Sequence, residues 1–277
     1  MSEHVDASAR TDVGSVRAVN EDSFLARAPL FLVADGMGGH ARGDKASHEA
    51  IRVFDERIPA GTVPTPDEVL DGVAAANKGV RGLSQAEDSG IAVAGTTLTG
   101  VVLVRTAEGE QRHWMVVNVG DSRVYNWDGR TLTQLSVDHS AVQELVDAGA
   151  ISPDEVAAHP ERNVITRALG ADASVEVDVW LLPATGKQTF LVCSDGLCKE
   201  VTDEEIARIL SDHREVGHEG ERVSDALVNA ALAAGGRDNV TVIVVESQMG
   251  DAGGDHDATV DRSAGTSELL EDTRPRS

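Results

Sequence analysis

The chain has only two cysteines, Cys193 and Cys198, among 277 residues. Two thiols so close together cannot build a disulfide framework, and neither neighbours a second ligand pair for zinc, so both are read as reduced. Basic charge is also scarce: 24 lysines and arginines stand against 47 acidic residues, a net charge of -23. That balance leaves no basic surface for nucleic acid or an anionic membrane. It marks a well-solvated surface, and concentrated carboxylates also suit divalent cations. No run approaches the roughly 20 apolar residues of a membrane span, and the opening MSEHVDASAR lacks the basic and apolar regions of a secretory leader. A cytoplasmic protein is expected. No segment of about 20 to 50 residues repeats, which excludes a solenoid or propeller.

What the chain does have is enough apolar content, 41%, to bury one large core or two small ones. Strand-like apolar runs recur at 30–35, 97–104, 113–120, 190–195 and 239–246. Their β-branched residues and Gly or Asp boundaries favour sheet over helix. Ala46, Ala50, Phe54 and Ile58 recur every fourth residue, and Val69, Val73, Ala76, Val80 and Leu83 alternate steps of four and three. Both spacings predict amphipathic helices that need a sheet face to cover. Capping boxes mark helix starts at Thr65-Pro66-Asp67-Glu68, Ser152-Pro153-Asp154-Glu155 and Thr202-Asp203-Glu204-Glu205. Hairpin turns such as Trp127-Asp128-Gly129-Arg130 join the middle strands, so the order of elements is α+β with antiparallel sheets. From residue 247 the sequence becomes Gly-, Asp- and Ser-rich, which predicts a folded region of 1–246 and a disordered acidic tail of 247–277. Thr259 and Thr266 in that tail are candidate phosphosites on their acidic context alone.

The most informative pattern is a set of aspartates where apolar strands stop: Asp35 after LFLVA, Asp121 after MVVNVG, and Asp195 after FLVCS. Asp238 sits just before the last strand, and in an antiparallel sheet a strand's start lies beside its neighbour's end, so all four can reach one sheet edge. Taken singly, each is usually only a turn former. Crowded together, they repel one another unless cations neutralise them, and hard oxygens select magnesium or manganese over zinc. Gly36 and Gly196 let the backbone turn tightly after two of these aspartates and can bring a carbonyl to a metal. The run Gly36-Met37-Gly38-Gly39-His40-Ala41 matches a dinucleotide fingerprint, but Asp35 would sit beside the pyrophosphate, and Asp55 and Glu56 fall in a helix pattern. Gly38 to Lys45 is not a P-loop either, because Asp44 separates Gly43 from Lys45.

Six segments carry a resemblance: Arg17-Ala18-Val19-Asn20-Glu21-Asp22, Asp35-Gly36-Met37-Gly38-Gly39, Gly95-Thr96-Thr97, Gly120-Asp121-Ser122-Arg123, Ser194-Asp195-Gly196-Leu197 and Gly235-Gly236-Arg237-Asp238-Asn239. In this order they resemble the type-2C metal-dependent protein serine/threonine phosphatases, specifically bacterial single-domain members, over roughly residues 10–246. The resemblance implies a four-layer α-β-β-α sandwich, with two antiparallel sheets face to face, helices on the outer faces and metals in a cleft at one sheet edge. It implies two core ions, manganese or magnesium. Asp35 would bridge both, the Gly36 carbonyl would complete the first, Asp195 and Asp238 would hold the second, and Asp121 would join Asp195 at a weaker third site. Glu21 and Asp22 would accept hydrogen bonds from waters around the ions.

The implied activity is hydrolysis of phosphoserine and phosphothreonine, with Asp35, Asp195 and Asp238 as the catalytic set. A water bridging the ions, its pKa lowered toward about 7, would attack phosphorus in line without a phosphoenzyme. Arg17 matches the family's phosphate-binding arginine, whose planar fork grips two oxygens as lysine cannot. Met37 departs from relatives that carry a proton-donating histidine there, which leaves a metal-bound water, His40 and His139 as candidates, with structural or surface roles the commoner reading for both histidines. Residues 140–170 correspond to the family's flap and are expected to tune substrate choice or to act only in packing. Expected partners are phosphorylated proteins, including a serine/threonine kinase, acting on a monomer. The competing readings are a catalytically weak phosphoprotein-binding relative and an aspartyl-phosphate phosphatase; no Asp-x-Asp at a strand end supports the latter.

Overall fold

Strands that are apolar at consecutive positions need cover on both faces, and the architecture supplies it. The computed structural model describes residues 4–38, 42–87, 90–92, 94–106, 111–215 and 222–250. Its strands are β1 (His4–Asp12), β2 (Asp22–Arg27), β3 (Leu30–Met37), β4 (Gln85–Glu87), β5 (Gly90–Ala92), β6 (Gly95–Thr96), β7 (Leu98–Arg105), β8 (Arg112–Val119), β9 (Arg123–Trp127), β10 (Leu132–Gln134), β11 (Asp178–Pro183), β12 (Gly186–Cys193) and β13 (Val240–Met249). The helices are α1 (Gly43–Arg57), α2 (Pro66–Gly82), α3 (Ala141–Asp147), α4 (Asp195–Cys198), α5 (Asp203–Glu215) and α6 (Val223–Ala234), with a 3₁₀ helix over Pro153–Ala158.

One antiparallel sheet has the order β1-β13-β12-β9-β10, and the other β11-β8-β7-β3-β2 with β6 added at β3. Because successive strand residues point to opposite faces, each strand feeds two cores. Phe31 and Val33 of β3 meet Phe190, Val192, Ile243 and Val245 of the other sheet in a central core. Leu30, Leu32 and Ala34 face the opposite way and pack with Ala46, Ala50, Phe54, Val69 and Val73 of α1 and α2. On the far side, Leu191, Cys193, Val242 and Val244 pack with Ile206, Leu210, Leu227 and Val228 of α5 and α6. The result is the expected α-β-β-α stack. Trp114 anchors its centre, with its ring centroid 6.1 Å from Phe31 and 5.4 Å from Phe190.

The elements depart from expectation in four places. Polar-rich β1 has no apolar run, yet it pairs along its length with β13, from His4↔Gln248 to Asp12↔Val240, and turns Val5, Ala7 and Ala9 toward the central core. The last strand therefore runs to Met249, three residues beyond the predicted edge at 246. The predicted tail from residue 251 on, with Thr259 and Thr266, lies outside the described residues. The capping box at Thr65 forms in full and opens α2, whereas the one at Ser152 opens a 3₁₀ helix, because Pro160 holds His159 extended and stops it. At Thr202 only half the box forms: its hydroxyl accepts from Glu205 N–H at 3.3 Å, while the Glu205 carboxylate turns to Arg208.

Candidate active site

Asp195 and Asp238 lie together for the reason expected, since β12 and β13 are antiparallel neighbours with Cys193 opposite Val242. Asp35 does not belong to that edge. It lies near the end of β3 in the other sheet, as Asp121 follows β8 there, so the carboxylates converge by the stacking of two sheets rather than along one. Register adds Asp22, which stands opposite Asp35 across β2 and β3. The consequence is electrostatic. Asp35 is pushed well above the ordinary carboxylate range by burial first and then by Asp22, Asp195, Asp121 and Asp238.

Hydroxyl and amide groups hold these side chains in place. The Asp35 N–H donates to Thr97 Oγ1 at 2.9 Å, and its carbonyl accepts from Thr97 N–H and Thr96 Oγ1, each at 2.9 Å. Thr97 Oγ1 in turn meets Ser122 Oγ at 2.8 Å, so the Gly-Thr-Thr and Gly-Asp-Ser segments brace the aspartate from behind. Asp22 Oδ2 accepts from Ser194 Oγ at 2.8 Å and Thr241 Oγ1 at 2.7 Å, which ties the two sheets together at the rim. Asn239 works similarly: its Oδ1 accepts from Glu21 N–H at 2.8 Å, and its Nδ2 donates to the carbonyls of Val13 and Val19. Burial raises the Glu21 carboxyl, with backbone hydrogen bonds from Gly43 and Asp44 among the opposing causes. Sequence reasoning assigned no role to Thr96, Thr97 or Asn239, although all three lie in the quoted segments.

Gly36 and Gly196 are needed for close approach rather than for a turn, since neither has a positive φ. A Cβ on Gly36 would lie 2.1 Å from the Gly43 carbonyl oxygen and 2.5 Å from that of Glu21. One on Gly196 would lie 2.0 Å from the Asn239 carbonyl oxygen. Backbone segments pack against each other at the rim with no room for a side chain.

Two cations enter the acidic cluster. Arg17, predicted to grip phosphate, forms a fork on Asp238, Nε to Oδ1 at 2.9 Å and NH2 to Oδ2 at 3.0 Å, with its side chain half exposed. Lys199, which sequence reasoning missed, contacts Asp195 Oδ2 and lies 3.5 Å from Asp238 Oδ2. Its signal was the four-residue step from Asp195, which places both on one side of α4 and its cap.

Among the described residues, no three His, Cys, Asp or Glu side chains are placed as a finished ion site. The donor set nevertheless fits hard cations. Buried oxygens Asp22 Oδ1, Asp121 Oδ1 and Asp195 Oδ1 have no hydrogen-bond partner, a costly state for a carboxylate unless a positive charge meets it. Asp22 is pushed up to about 6 and Asp121 to about 7, burial being the largest cause in both.

His139 is committed elsewhere. Its Nδ1 accepts from Gly120 N–H at 3.0 Å, and its Nε2 lies 2.8 Å from Arg167 NH1 and 3.2 Å from Asp178 Oδ2. These contacts give His139 a structural role. His40 lies outside the described residues. The flap does border the cluster: a cavity of about 660 Å³ has Asp121, Asp195 and Asp238 on one wall and Pro153, Val156 and Arg162 on the other.

Fold and rim together define a two-sheet sandwich with a carboxylate-lined cleft at the seam of its sheets. Residues 15–234 match the model of the family described as Protein phosphatase 2C, and the chain belongs to that family. It is 35% identical over 256 residues to the serine/threonine phosphatase stp of Listeria monocytogenes, covering 89% of this chain and 97% of that one. It is 39% identical over 241 residues to the serine/threonine protein phosphatase PstP of Mycobacterium tuberculosis, covering 86% of this chain and 44% of PstP. A solved structure of the PstP catalytic domain in complex with two manganese ions superposes with a TM-score of 0.72 at 35% identity, over 90% of this chain and all of that one.

Proposed function

We propose that the chain is a metal-dependent protein serine/threonine phosphatase that hydrolyses phosphoserine and phosphothreonine directly. The observation that carries this is the cluster of five aspartates at the seam, three of them with a buried oxygen that nothing donates to. Asp35 and the Gly36 carbonyl would serve one Mn2+ or Mg2+, Asp35 with Asp195 and Asp238 a second, and Asp121 with Asp195 a weaker third. Glu21 and Asp22 would order waters around them. When bound, the ions neutralise phosphoryl charge and make water nucleophilic near neutral pH.

The protein's own groups do the positioning. Thr96, Thr97 and Ser122 fix the backbone of Asp35, and Ser194 with Thr241 fixes Asp22. Arg17 lies on the open side of the cluster, and its fork can exchange from Asp238 to a phosphate dianion, which offers the same pair of oxygens with more charge. The flap wall of the cavity would contact the peptide around the phosphorylated residue; exchanging it for a relative's flap without changing peptide preference would refute that role. Physiologically the enzyme would act in the cytoplasm as a monomer, reversing a serine/threonine kinase. No helix among the described residues is long and apolar enough to cross a membrane.

The test is turnover of p-nitrophenyl phosphate and of a phosphothreonine peptide with manganese. We expect activity that Asp35→Asn and Asp238→Asn abolish. A folded protein that binds phosphopeptide but never turns it over is instead the weak, binding-only relative.

A further inference from the structure

The two cysteines sit on either side of a metal-cluster residue. Cys193 ends β12, Asp195 opens the single turn of α4, and Cys198 closes it. Their sulfurs are 3.6 Å apart. Cys193 is fully buried under α5 and α6, while Cys198 is partly exposed and lines the cavity beside Asp121, Asp195 and Asp238. Cys198 Sγ also lies 3.3 Å from the Tyr125 hydroxyl, which accepts from Arg123 and donates to Asp203. Cys198 therefore borders the substrate cavity, and the sulfur of Cys193 lies behind it within reach of a bond.

We propose that Cys193 and Cys198 form a reversible disulfide on exposure to hydrogen peroxide, and that closing it disables the neighbouring metal and phosphate site. The sulfur of Cys198 attacks a peroxide oxygen, giving a sulfenic acid and releasing water. The sulfur of Cys193 then attacks the sulfenic sulfur, and a second water leaves with the remaining proton. Two thiols lose two electrons in all, and the peroxide gains them.

The bond requires the sulfurs to close from 3.6 Å to about 2.05 Å. The movement has a predictable direction. β12 is clamped by β9 and β13 along its length, whereas α4 is a single turn, so α4 gives. Asp195 and Lys199 travel with it, because Lys199 N–H is bonded to the Asp195 carbonyl at 2.9 Å. The inference rests on Asp195 holding a metal, and its two halves are measured separately.

Full-length protein is treated with hydrogen peroxide and examined by intact mass, manganese calorimetry and phosphopeptide turnover. We expect a loss of about 2 Da, at least a tenfold loss of manganese affinity and turnover, and recovery of both with dithiothreitol. Cys198→Ser should retain turnover under peroxide, as should Cys193→Ala if the buried substitution folds. A mass gain from sulfinic acid without the 2 Da loss overturns the disulfide. A disulfide that leaves manganese affinity unchanged overturns the coupling. Absence of turnover in the reduced protein would instead sink the phosphatase reading, and the mass measurement would still decide the disulfide.

Discussion

Acidifying the protein from about pH 7.5 to about pH 5.5 should stabilise it in the presence of a chelator and weaken the extra stabilisation that manganese provides. The buried aspartates of the cluster all act in this direction, Asp35 and Asp195 included, and two of them set its minimum size: Asp22, pushed up from 3.8 to about 6, and Asp121, pushed up from 3.8 to about 7. A carboxyl whose folded value is raised holds its proton more tightly in the folded state. Its contribution is therefore fully present below the unfolded value and is lost as pH rises through the folded one. Across this window the unfolded carboxyls stay ionised while the folded ones pass from protonated to ionised. At about 1.36 kcal/mol per pKa unit, Asp121 shifts stability by about 2 kcal/mol and Asp22 by about 1 kcal/mol. Both are buried, 7% and 8% exposed, so solvent screening removes little of this. For a domain of this size the sum corresponds to about 6–12 °C in Tm. Carboxylates held down by partners, such as Glu49, Glu68 and Asp178, are lowered from their ordinary values and lie outside the window. Ions bind the deprotonated groups, so manganese must displace these protons at the lower pH, and its affinity falls about tenfold per pH unit for each proton displaced. Scanning calorimetry at the two pH values, with EDTA and with manganese, gives four melting temperatures. A chelated protein that is no more stable at the lower pH, or a manganese increment that is equal at both, would refute the buried-cluster argument.

Arg17→Lys keeps the charge but loses the two-pronged grip, and should raise KM for a phosphothreonine peptide about tenfold with a smaller change in kcat, measured by steady-state kinetics. Gly36→Ala puts a methyl 2.1 Å from the Gly43 carbonyl oxygen and should destabilise the fold by about 3 kcal/mol, a drop of about 6–12 °C in Tm by thermal melting. Thr97→Val removes the acceptor for Asp35 N–H and the partner of Ser122. It should lower stability by about 1–3 kcal/mol in a urea titration and weaken manganese binding in calorimetry, with Thr97→Ser recovering most of both.

Much of the chemistry was legible in the residues themselves. An aspartate that ends an apolar run is visible as such, and so are the period-four stripe of Ala46, Ala50, Phe54 and Ile58 and the complete capping box at Thr65. These are local patterns, set by backbone geometry over a few residues, and short-range physics suffices to interpret them. β1 was not legible, because its pairing partner lies more than 200 residues away and its own sequence is mostly polar.

How the cluster assembles was decided only in three dimensions. Stacking of two sheets, rather than adjacency within one, brings Asp35 and Asp121 to Asp195 and Asp238, and no spacing along the chain encodes which sheet a strand will join. The burial that raises Asp22 and Asp121, the engagement of Arg17 and Lys199 with Asp238, and the removal of His139 to a structural pair all depend on neighbours distant in sequence. Linear sequence determined which oxygens were available. Tertiary packing determined which of them are driven together out of water, because desolvation and repulsion are properties of the assembled seam and not of any one strand.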